Sequence, residues 1–241
     1  MAISRFTENG DVRIHYLDSG GEDRGAPIVF VPGMTDLAED YTEVLALFGR
    51  RTAVVEVRGH GRSSSPEHGY DLAMLSEDVG AVVDAMTAGP VHLMTFSRGT
   101  SAAVAWALRH PDRVLSLAIG DYVPEEKVLP TGASQRLLSG RWRGSPVSDR
   151  LDVDAARKAF HAACDRSFWD ELAQLGLPLL AIRSGGSVLI REEEWARYRR
   201  LFPHAHLVEF HDSPHDVFRP DRGRYPRLVQ QHVERSEMRG K

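Results

Sequence analysis

One serine in the chain lies in a setting that suits nucleophilic chemistry. Ser97 follows the apolar run VHLMTF and precedes an alanine-rich segment that ends before Pro111. A buried strand, a tight turn and a helix in this order lift the serine hydroxyl out of the sheet, and the residues two before and two after it must be small. Gly99 meets this requirement, whereas Thr95 is larger than the usual glycine. The following helix directs backbone N–H groups toward a developing anion.

A serine hydroxyl is a weak nucleophile at neutral pH, so it needs a base to accept its proton and an acid group to orient that base. Asp121 and His215 follow later predicted strands, and the chain order serine, acid, histidine is that of one lineage of catalytic triads. Two backbone N–H groups must also bind the oxyanion. We expect one from Arg98, directly after the serine, and the other from Met34 in an early proline-glycine turn.

The elements that must position these residues alternate along the chain. A strand of alternating polarity is predicted at 12–17, and buried strands are predicted at 27–31, 52–57, 91–96, 114–119, 178–182 and 206–210. Amphipathic helices separate most of these strands, including one with Leu37, Tyr41, Val44, Leu45 and Phe48 on a single face. This pattern predicts an α/β fold with a doubly wound, mostly parallel central sheet and helices on both faces. Ligands bind such sheets at the carboxyl ends of the strands.

The alternation stops between residues 122 and 175, where proline, glycine and serine are scattered before a predicted helix over 153–175. An insertion of this size at the carboxyl edge of a sheet is expected to cover the site. We therefore predict a core formed by 1–121 and 176–241 and a short helical lid formed by 122–175.

Large aromatic residues in the predicted lid are candidates for an apolar acyl pocket, or for a small core of the lid itself. They are Trp142, Phe160, Phe168 and Trp169.

Composition narrows the class of protein. The 241 residues are 42% hydrophobic and 27% charged, and 30 basic against 34 acidic residues give a formal charge of −4. No basic run is present, so we expect no nucleic-acid partner.

Cys164 is the sole cysteine, which excludes an intrachain disulfide, and we expect it to be packed in a helix rather than nucleophilic. The N-terminal stretch lacks the apolar region of a secretory signal and no run suits a membrane span, so we predict a cytoplasmic protein without a membrane partner.

Cofactor sites have no support in the sequence. His204 and His206 share a strand face, but no second cluster of carboxylates or histidines stands at ligand spacing, so we predict no metal. The glycine pairs Gly20-Gly21 and Gly185-Gly186 lack the context of a phosphate-binding loop. The expected partner is a small-molecule substrate, no cofactor is predicted, and the oligomeric state is left open.

Taken together, the motifs resemble those of the α/β-hydrolase-fold superfamily over nearly the whole chain. The resemblance is carried by the oxyanion turn 32–34, the Arg-Gly-His-Gly loop 58–63, the serine turn 95–99 and His215 in a late loop. The usual histidine of the oxyanion turn is a proline here, an aspartate before the Arg-Gly loop is Glu56, and the glycine before the late histidine is Pro214. These departures indicate a divergent member with a serine nucleophile.

The resemblance implies that His215 is the base, whereas the position of the acid departs from the common pattern. In most of the superfamily the acid follows the strand that corresponds to PLLAI, in a Gly-x-x-Asp turn, but the turn here reads SGGSV. A subset that includes some dehalogenases carries the acid one strand earlier, where this chain has Asp121. We predict Asp121 as the acid, and the alternatives are Glu192, Glu193 and Glu194 at the start of a later helix.

The nucleophile type narrows the reaction that the resemblance implies. Dehalogenases and epoxide hydrolases of this fold attack with an aspartate, whereas a serine indicates acyl transfer. We expect a serine hydrolase that cleaves a small ester, lactone or thioester through an acyl-enzyme. The alternatives are the same triad used for cyclisation, acyl transfer or elimination in small-molecule biosynthesis, or a ligand-sensing protein that retains the fold.

Overall fold

A twisted sheet of eight strands forms the centre of the computed structural model, which describes residues 2–20 and 25–239. The strands in chain order are β1 (Ile3–Asn9), β2 (Val12–Asp18), β3 (Ile28–Val31), β4 (Thr52–Glu56), β5 (Val91–Phe96), β6 (Val114–Gly120), β7 (Glu125–Glu126), β8 (Arg141–Trp142), β9 (Ser145–Pro146), β10 (Arg166–Ser167), β11 (Leu179–Ser184) and β12 (His206–Phe210). The central sheet has the order β1-β2-β4-β3-β5-β6-β11-β12, while β7 pairs with β10 and β8 with β9. Strand β2 pairs antiparallel with both of its neighbours, β1 and β4, and the other pairings of the central sheet are parallel.

Helices connect the parallel strands and cover both faces of the sheet. The α-helices are α1 (Leu72–Met86), α2 (Gly99–Arg109), α3 (Thr131–Leu138), α4 (Val153–Ala162), α5 (Trp169–Gln174), α6 (Glu192–Leu201) and α7 (Arg224–Arg239), and 3-10 helices lie at Ala38–Phe48, Pro111–Arg113 and Val147–Asp149. One hydrophobic core packs α1, α2, α5 and α6 against the sheet, and a second packs the Ala38–Phe48 helix and α7 against the other face. The predicted α/β fold with a mostly parallel sheet is confirmed.

Continuous apolar runs explain the central strands. Every residue of β3 and β5 is buried, because helices exclude water from both of their faces. The edge strand β1 was absent from the sequence prediction because ISRFTEN is mostly exposed and alternates weakly. The segment 38–48 has the predicted apolar face, but it winds as a 3-10 helix that ends at Gly49 in the left-handed conformation.

The prediction of one helix over 153–175 is wrong. The chain leaves α4 after Ala162 and forms β10, which pairs antiparallel with β7, before α5 begins. Backbone pairing with β7 therefore replaces helical bonds in this stretch. Cys164 lies in the interruption and is exposed, so the expectation of a packed helical cysteine is also wrong.

Segment 122–175 has a small hydrophobic core of its own. Leu138, Val147, Leu151, Ala156 and Phe160 form this core, and Met34 from the sheet side packs against it. The division of the chain into a core and a lid over 122–175 stays a prediction. Within the described residues, no helix combines the length and apolarity needed to cross a membrane.

Two buried histidines, His92 in β5 and His232 in α7, make the free energy of unfolding depend on pH. Burial, reinforced at His92 by Arg50, lowers the pKa of both His92 and His232 to about 4. A histidine whose pKa is lower in the folded state favours the folded protein above pH 6.5, and that advantage is lost as the pH falls toward 4. Each group contributes at most about 3 kcal/mol to this change.

We predict that His232→Gln reduces the loss of unfolding free energy between pH 7 and pH 4.5, because glutamine takes up no proton in that range. Urea unfolding at a series of pH values measures the effect. His68 is exposed and pairs with Glu67 at the surface, so His68→Gln is the control and should retain the wild-type pH profile. If His232→Gln loses as much unfolding free energy on acidification as the wild type, His232 is not a source of the pH dependence.

Candidate functional site

The turn between β5 and α2 holds Ser97 in a strained backbone conformation. Its φ is 51°, in the left-handed region that a serine rarely adopts. A side chain at Gly99 would place Cβ 2.2 Å from the carbonyl oxygen of Pro32, so this position requires glycine. The larger Thr95 is accommodated because its buried hydroxyl lies 2.9 Å from that of Thr100. The turn therefore presents the Ser97 hydroxyl above the sheet edge.

Asp121 directly follows β6 and also has a positive φ, of 47°. Its side chain is fully buried and accepts two hydrogen bonds from Ser184 at the end of β11, at 2.8 Å from the backbone N–H and 3.0 Å from the hydroxyl. Ser184 belongs to the turn in which the common pattern of the superfamily has its acid. In this chain the turn supplies donors that hold a carboxylate from the neighbouring strand.

His215 joins the two side chains. Its Nδ1 lies 2.7 Å from Asp121 Oδ2, and its Nε2 lies 2.9 Å from Ser97 Oγ. A carboxylate only accepts hydrogen bonds, so Nδ1–H donates to Asp121 and Nε2 is left to accept from the serine hydroxyl. The ring stacks on Phe96 with centroids 5.1 Å apart. The structure thus brings together the three residues that the sequence analysis selected.

The alternative acids lie elsewhere. Glu192, Glu193 and Glu194 form the first turn of α6 on the surface. Glu192 pairs with Arg183 and Arg199, and Glu194 binds Arg191. Their contacts are those of a solvated helix terminus.

The turn with Met34 is shaped by the carboxylate of Asp36. Asp36 Oδ2 accepts the N–H of Gly33 at 2.9 Å, and the Asp36 N–H donates to the Gly33 carbonyl at 3.0 Å. In a trans peptide the carbonyl and the N–H point in opposite directions. Because the Gly33 carbonyl is directed at Asp36, the N–H of Met34 is directed away from it. Among the described residues, the N–H groups of Met34 and Arg98 have no protein acceptor.

Asp36 also connects this turn to segment 122–175. The indole N–H of Trp142 donates to Asp36 Oδ1 at 2.7 Å, and Arg143 Nε lies 3.4 Å from the same oxygen. Burial raises the pKa of Asp36 to about 6 although Arg143 and Trp142 stabilise its charged form. The carboxylate is thus anchored by groups from both sides of the cleft.

Arg143 extends the connection to the loop of His215. Its Nη2 donates to Asp216 Oδ1 at 2.9 Å, and its guanidinium lies 4.8 Å from the ring centre of Tyr41. The backbone of Arg143 is itself in the left-handed region, with φ of 46°. One side chain of segment 122–175 therefore contacts the oxyanion turn and the residue after His215.

A cavity of about 60 Å³ begins beside Met34 and Arg98 and extends between β3, β4, α1 and α2. Its walls are mainly apolar, with Leu72, Leu75 and Ala102 among the lining residues. Phe168 and Trp169 do not line it, and both are fully buried in the core under α2 and α6. Their prediction as substrate-binding residues is therefore wrong, because the break after α4 turns them inward. Trp142 lies close to the site, with its ring centre 6.4 Å from that of His215.

Hydrogen bonds to two buried carboxylates hold the Arg-Gly-His-Gly loop in place. Arg58 forms two hydrogen bonds with the buried carboxylate of Asp78. Glu56 accepts from His15, Arg62 and Ala38, and these donors lower its pKa despite burial. The loop is thereby tied to the floor of the cavity.

Three residues near the site were missed by sequence reasoning: Ser184, Asp36 and Arg143. Asp36 had a local signal, because an aspartate three residues after a turn glycine commonly caps that turn. Ser184 and Arg143 had none, since their partners lie far away in the sequence. Within the described residues, no group of three or more His, Cys, Asp or Glu side chains has the arrangement of a metal site.

Comparison with known proteins agrees with the architecture. Residues 26–122 match the family described as alpha/beta hydrolase fold. The crystal structure of E-2-(acetamidomethylene)succinate hydrolase covers 97% of this chain and 100% of its own, with a TM-score of 0.78 at 20% identity. The chain thus resembles α/β hydrolases, because residues 26–122 match that family and the solved structure shares the fold.

Two proteins of similar sequence are named as enzymes. It is 27% identical to the 2-(acetamidomethylene)succinate hydrolase of Mesorhizobium japonicum, over 89% of each chain. It is also 33% identical to a non-heme chloroperoxidase of Streptomyces lividans, over 51% of this chain and 45% of that protein. The second match spans less than half of the relative, whereas the first spans most of it.

We predict that Asp36→Ala lowers the free energy of unfolding at pH 7.5 by about 2 kcal/mol, because it removes the acceptor of two buried N–H groups and one partner of Arg143. Chemical denaturation measures the change. Asp84→Ala is the control, since Asp84 is exposed and pairs with Arg113 at the surface. Equal stability of the two variants would mean that Asp36 does not hold the turn.

Proposed function

We propose that the chain is a serine hydrolase that cleaves a small ester, lactone or thioester through an acyl-enzyme. Ser97 is the nucleophile, His215 the general base and Asp121 the residue that orients His215. The observation that carries the proposal is the continuous path from Ser97 Oγ to Nε2 of His215 and from its Nδ1 to Asp121, at 2.9 and 2.7 Å. The relatives that are named hydrolases support the same class of reaction.

The geometry suits each step of acyl transfer. Ser97 Oγ attacks the substrate carbonyl while His215 Nε2 accepts the hydroxyl proton, and the resulting imidazolium is stabilised by Asp121. The oxyanion accepts the N–H groups of Met34 and Arg98, and removal of one such donor typically costs about 3 kcal/mol. His215 then protonates the leaving oxygen or sulfur. A water molecule, deprotonated by His215, hydrolyses the acyl-enzyme and restores the serine.

The cavity beside Met34 and Arg98 suits a short acyl group. An apolar cavity of about 150 Å³ accommodates benzene, so about 60 Å³ leaves room for a few heavy atoms. Trp142, whose ring centre lies 6.4 Å from that of His215, is proposed to contact the leaving group.

We predict that Ser97→Ala abolishes labelling by a fluorescent phosphonate and abolishes turnover of p-nitrophenyl acetate. Intact-mass spectrometry of the labelled protein measures the first result and a continuous absorbance assay the second. Ser139→Ala is the control, because Ser139 is an exposed serine at the end of α3. Persistent labelling of Ser97→Ala would remove this residue from the mechanism.

We predict that Asp121→Asn lowers kcat by about 10³-fold or more, because asparagine offers His215 the wrong hydrogen-bonding partner and no charge. The steady-state rate of ester hydrolysis is the measurement. Glu193→Gln changes an exposed side chain and is expected to leave kcat within about twofold of the wild type. Equal losses in the two variants, or the reverse order, assign the acid elsewhere.

Hydrolysis is separated from cyclisation, transfer and elimination by the product. In H₂¹⁸O a hydrolase incorporates one solvent oxygen into the released acid, and mass spectrometry detects the added mass. Unlabelled product at full turnover contradicts hydrolysis while leaving the nucleophile assignment intact.

A further inference from the structure

Glu126 is one of three acidic residues that line the cavity, together with Asp36 and Glu56, and it takes no part in the proposed reaction. Glu126 lies in β7, is 6% exposed and contributes to the cavity wall together with Met34, Arg98 and Ala102. A nearly buried hydrogen-bond acceptor, Glu126, therefore lies in the wall of a cavity that starts beside the proposed oxyanion site. Most of the other lining is apolar.

The protein gives this carboxylate little compensation. Within residues 2–20 and 25–239, its hydrogen bond comes from the thiol of Cys164, with Sγ 3.3 Å from Oε2, and no lysine, arginine or histidine forms an ion pair with it. A thiol is a weak donor. A buried carboxylate is well accommodated only when a cation or strong donors replace the lost water.

Cations close to Glu126 in the sequence or in the cavity are engaged with other groups. Lys127 pairs with Glu125 at 3.0 Å, on the opposite side of the strand. Arg98 donates to the carbonyl of Lys127 at 3.0 Å, and its guanidinium lies 5.3 Å from the ring centre of Phe160. The chain thus leaves Glu126 without a strong partner in a space that a ligand can enter.

We propose that Glu126 forms a specificity subsite for an acyl group that carries an N–H or O–H donor, with an ammonium group the best match. The donor would bind the carboxylate while the carbon chain fills the apolar walls. A cavity of about 60 Å³ restricts the acyl group to a short chain, so the donor stands two or three atoms from the reacting carbonyl. This inference rests on the proposed function for the identity of the reacting bond.

A series of three esters of nearly equal size tests the subsite. In methyl 3-aminobutyrate, methyl 3-hydroxybutyrate and methyl 3-methylbutyrate, an ammonium, a hydroxyl or a methyl group occupies the same position. We expect kcat/KM of the wild type to be at least tenfold higher for the ammonium ester than for the methyl ester, with the hydroxyl ester between them.

Two neighbouring glutamates provide matched variants. Glu126→Gln keeps the shape but removes the charge, and it is expected to reduce the ammonium-to-methyl ratio at least tenfold. Glu125→Gln is the control, because Glu125 faces Lys127 and Trp169 outside the cavity, and it should retain the wild-type ratio. Cys164→Ala removes the competing thiol and should keep or increase the preference. Equal ratios in both glutamine variants, or a wild-type preference for the methyl ester, overturn the subsite.

Binding to Ser97→Ala separates this inference from the proposed function. The same esters are titrated into Ser97→Ala by NMR, alone and combined with Glu126→Gln. Tighter binding of the ammonium ester that depends on Glu126 supports the subsite even if the wild type shows no turnover. Turnover of all three esters by the wild type, with no preference in rate or binding, supports the hydrolase and rejects the subsite.

Discussion

The carboxylate of Asp121 is the interaction on which the rest of the site depends. It is buried, and its oxygens are held by two donors of Ser184 as well as by His215. A buried charge is stable only with such a set of partners. The arrangement uses the ends of three neighbouring strands, since β5 presents Ser97, β6 presents Asp121 and β11 presents Ser184. The strain at Ser97 and at Asp121 is compensated by these contacts.

A second buried carboxylate organises the other half of the cleft. Asp36 fixes the peptide of Gly33 and receives Trp142 and Arg143 from segment 122–175, while Arg143 reaches Asp216 beside His215. Segment 122–175 is thus joined to the turn at Gly33 and to the loop of His215 by charged and hydrogen-bonded groups rather than by apolar packing alone. A change in Trp142 or Arg143 is therefore felt directly by the turn at Gly33 and by the loop of His215.

Sequence reasoning reached the fold and Ser97 because both depend on local patterns, and it reached Asp121 and His215 through the resemblance to a known superfamily. Buried parallel strands are continuous apolar runs, and a serine between a strand and a helix has a recognisable turn. It failed where the structure depends on distant pairing. The polar strand β1 is stabilised by β2, and the pairing of β7 with β10 interrupts the expected helix and buries Phe168 and Trp169. Ser184 and Glu126 contact residues that lie far away in the sequence, so no local pattern identifies them.

The placement of the acid on β6 has a consequence for the loop after β11. Ser184, the last residue of β11, contacts Asp121, whereas Gly186 and Val188 of the loop that follows are exposed, Val188 by 84%. The exposed residues Gly186 and Val188 can therefore be substituted without removing the hydrogen bonds between Ser184 and Asp121. Evolution or a protein engineer can use this loop as a site for new recognition elements at the rim of the cleft.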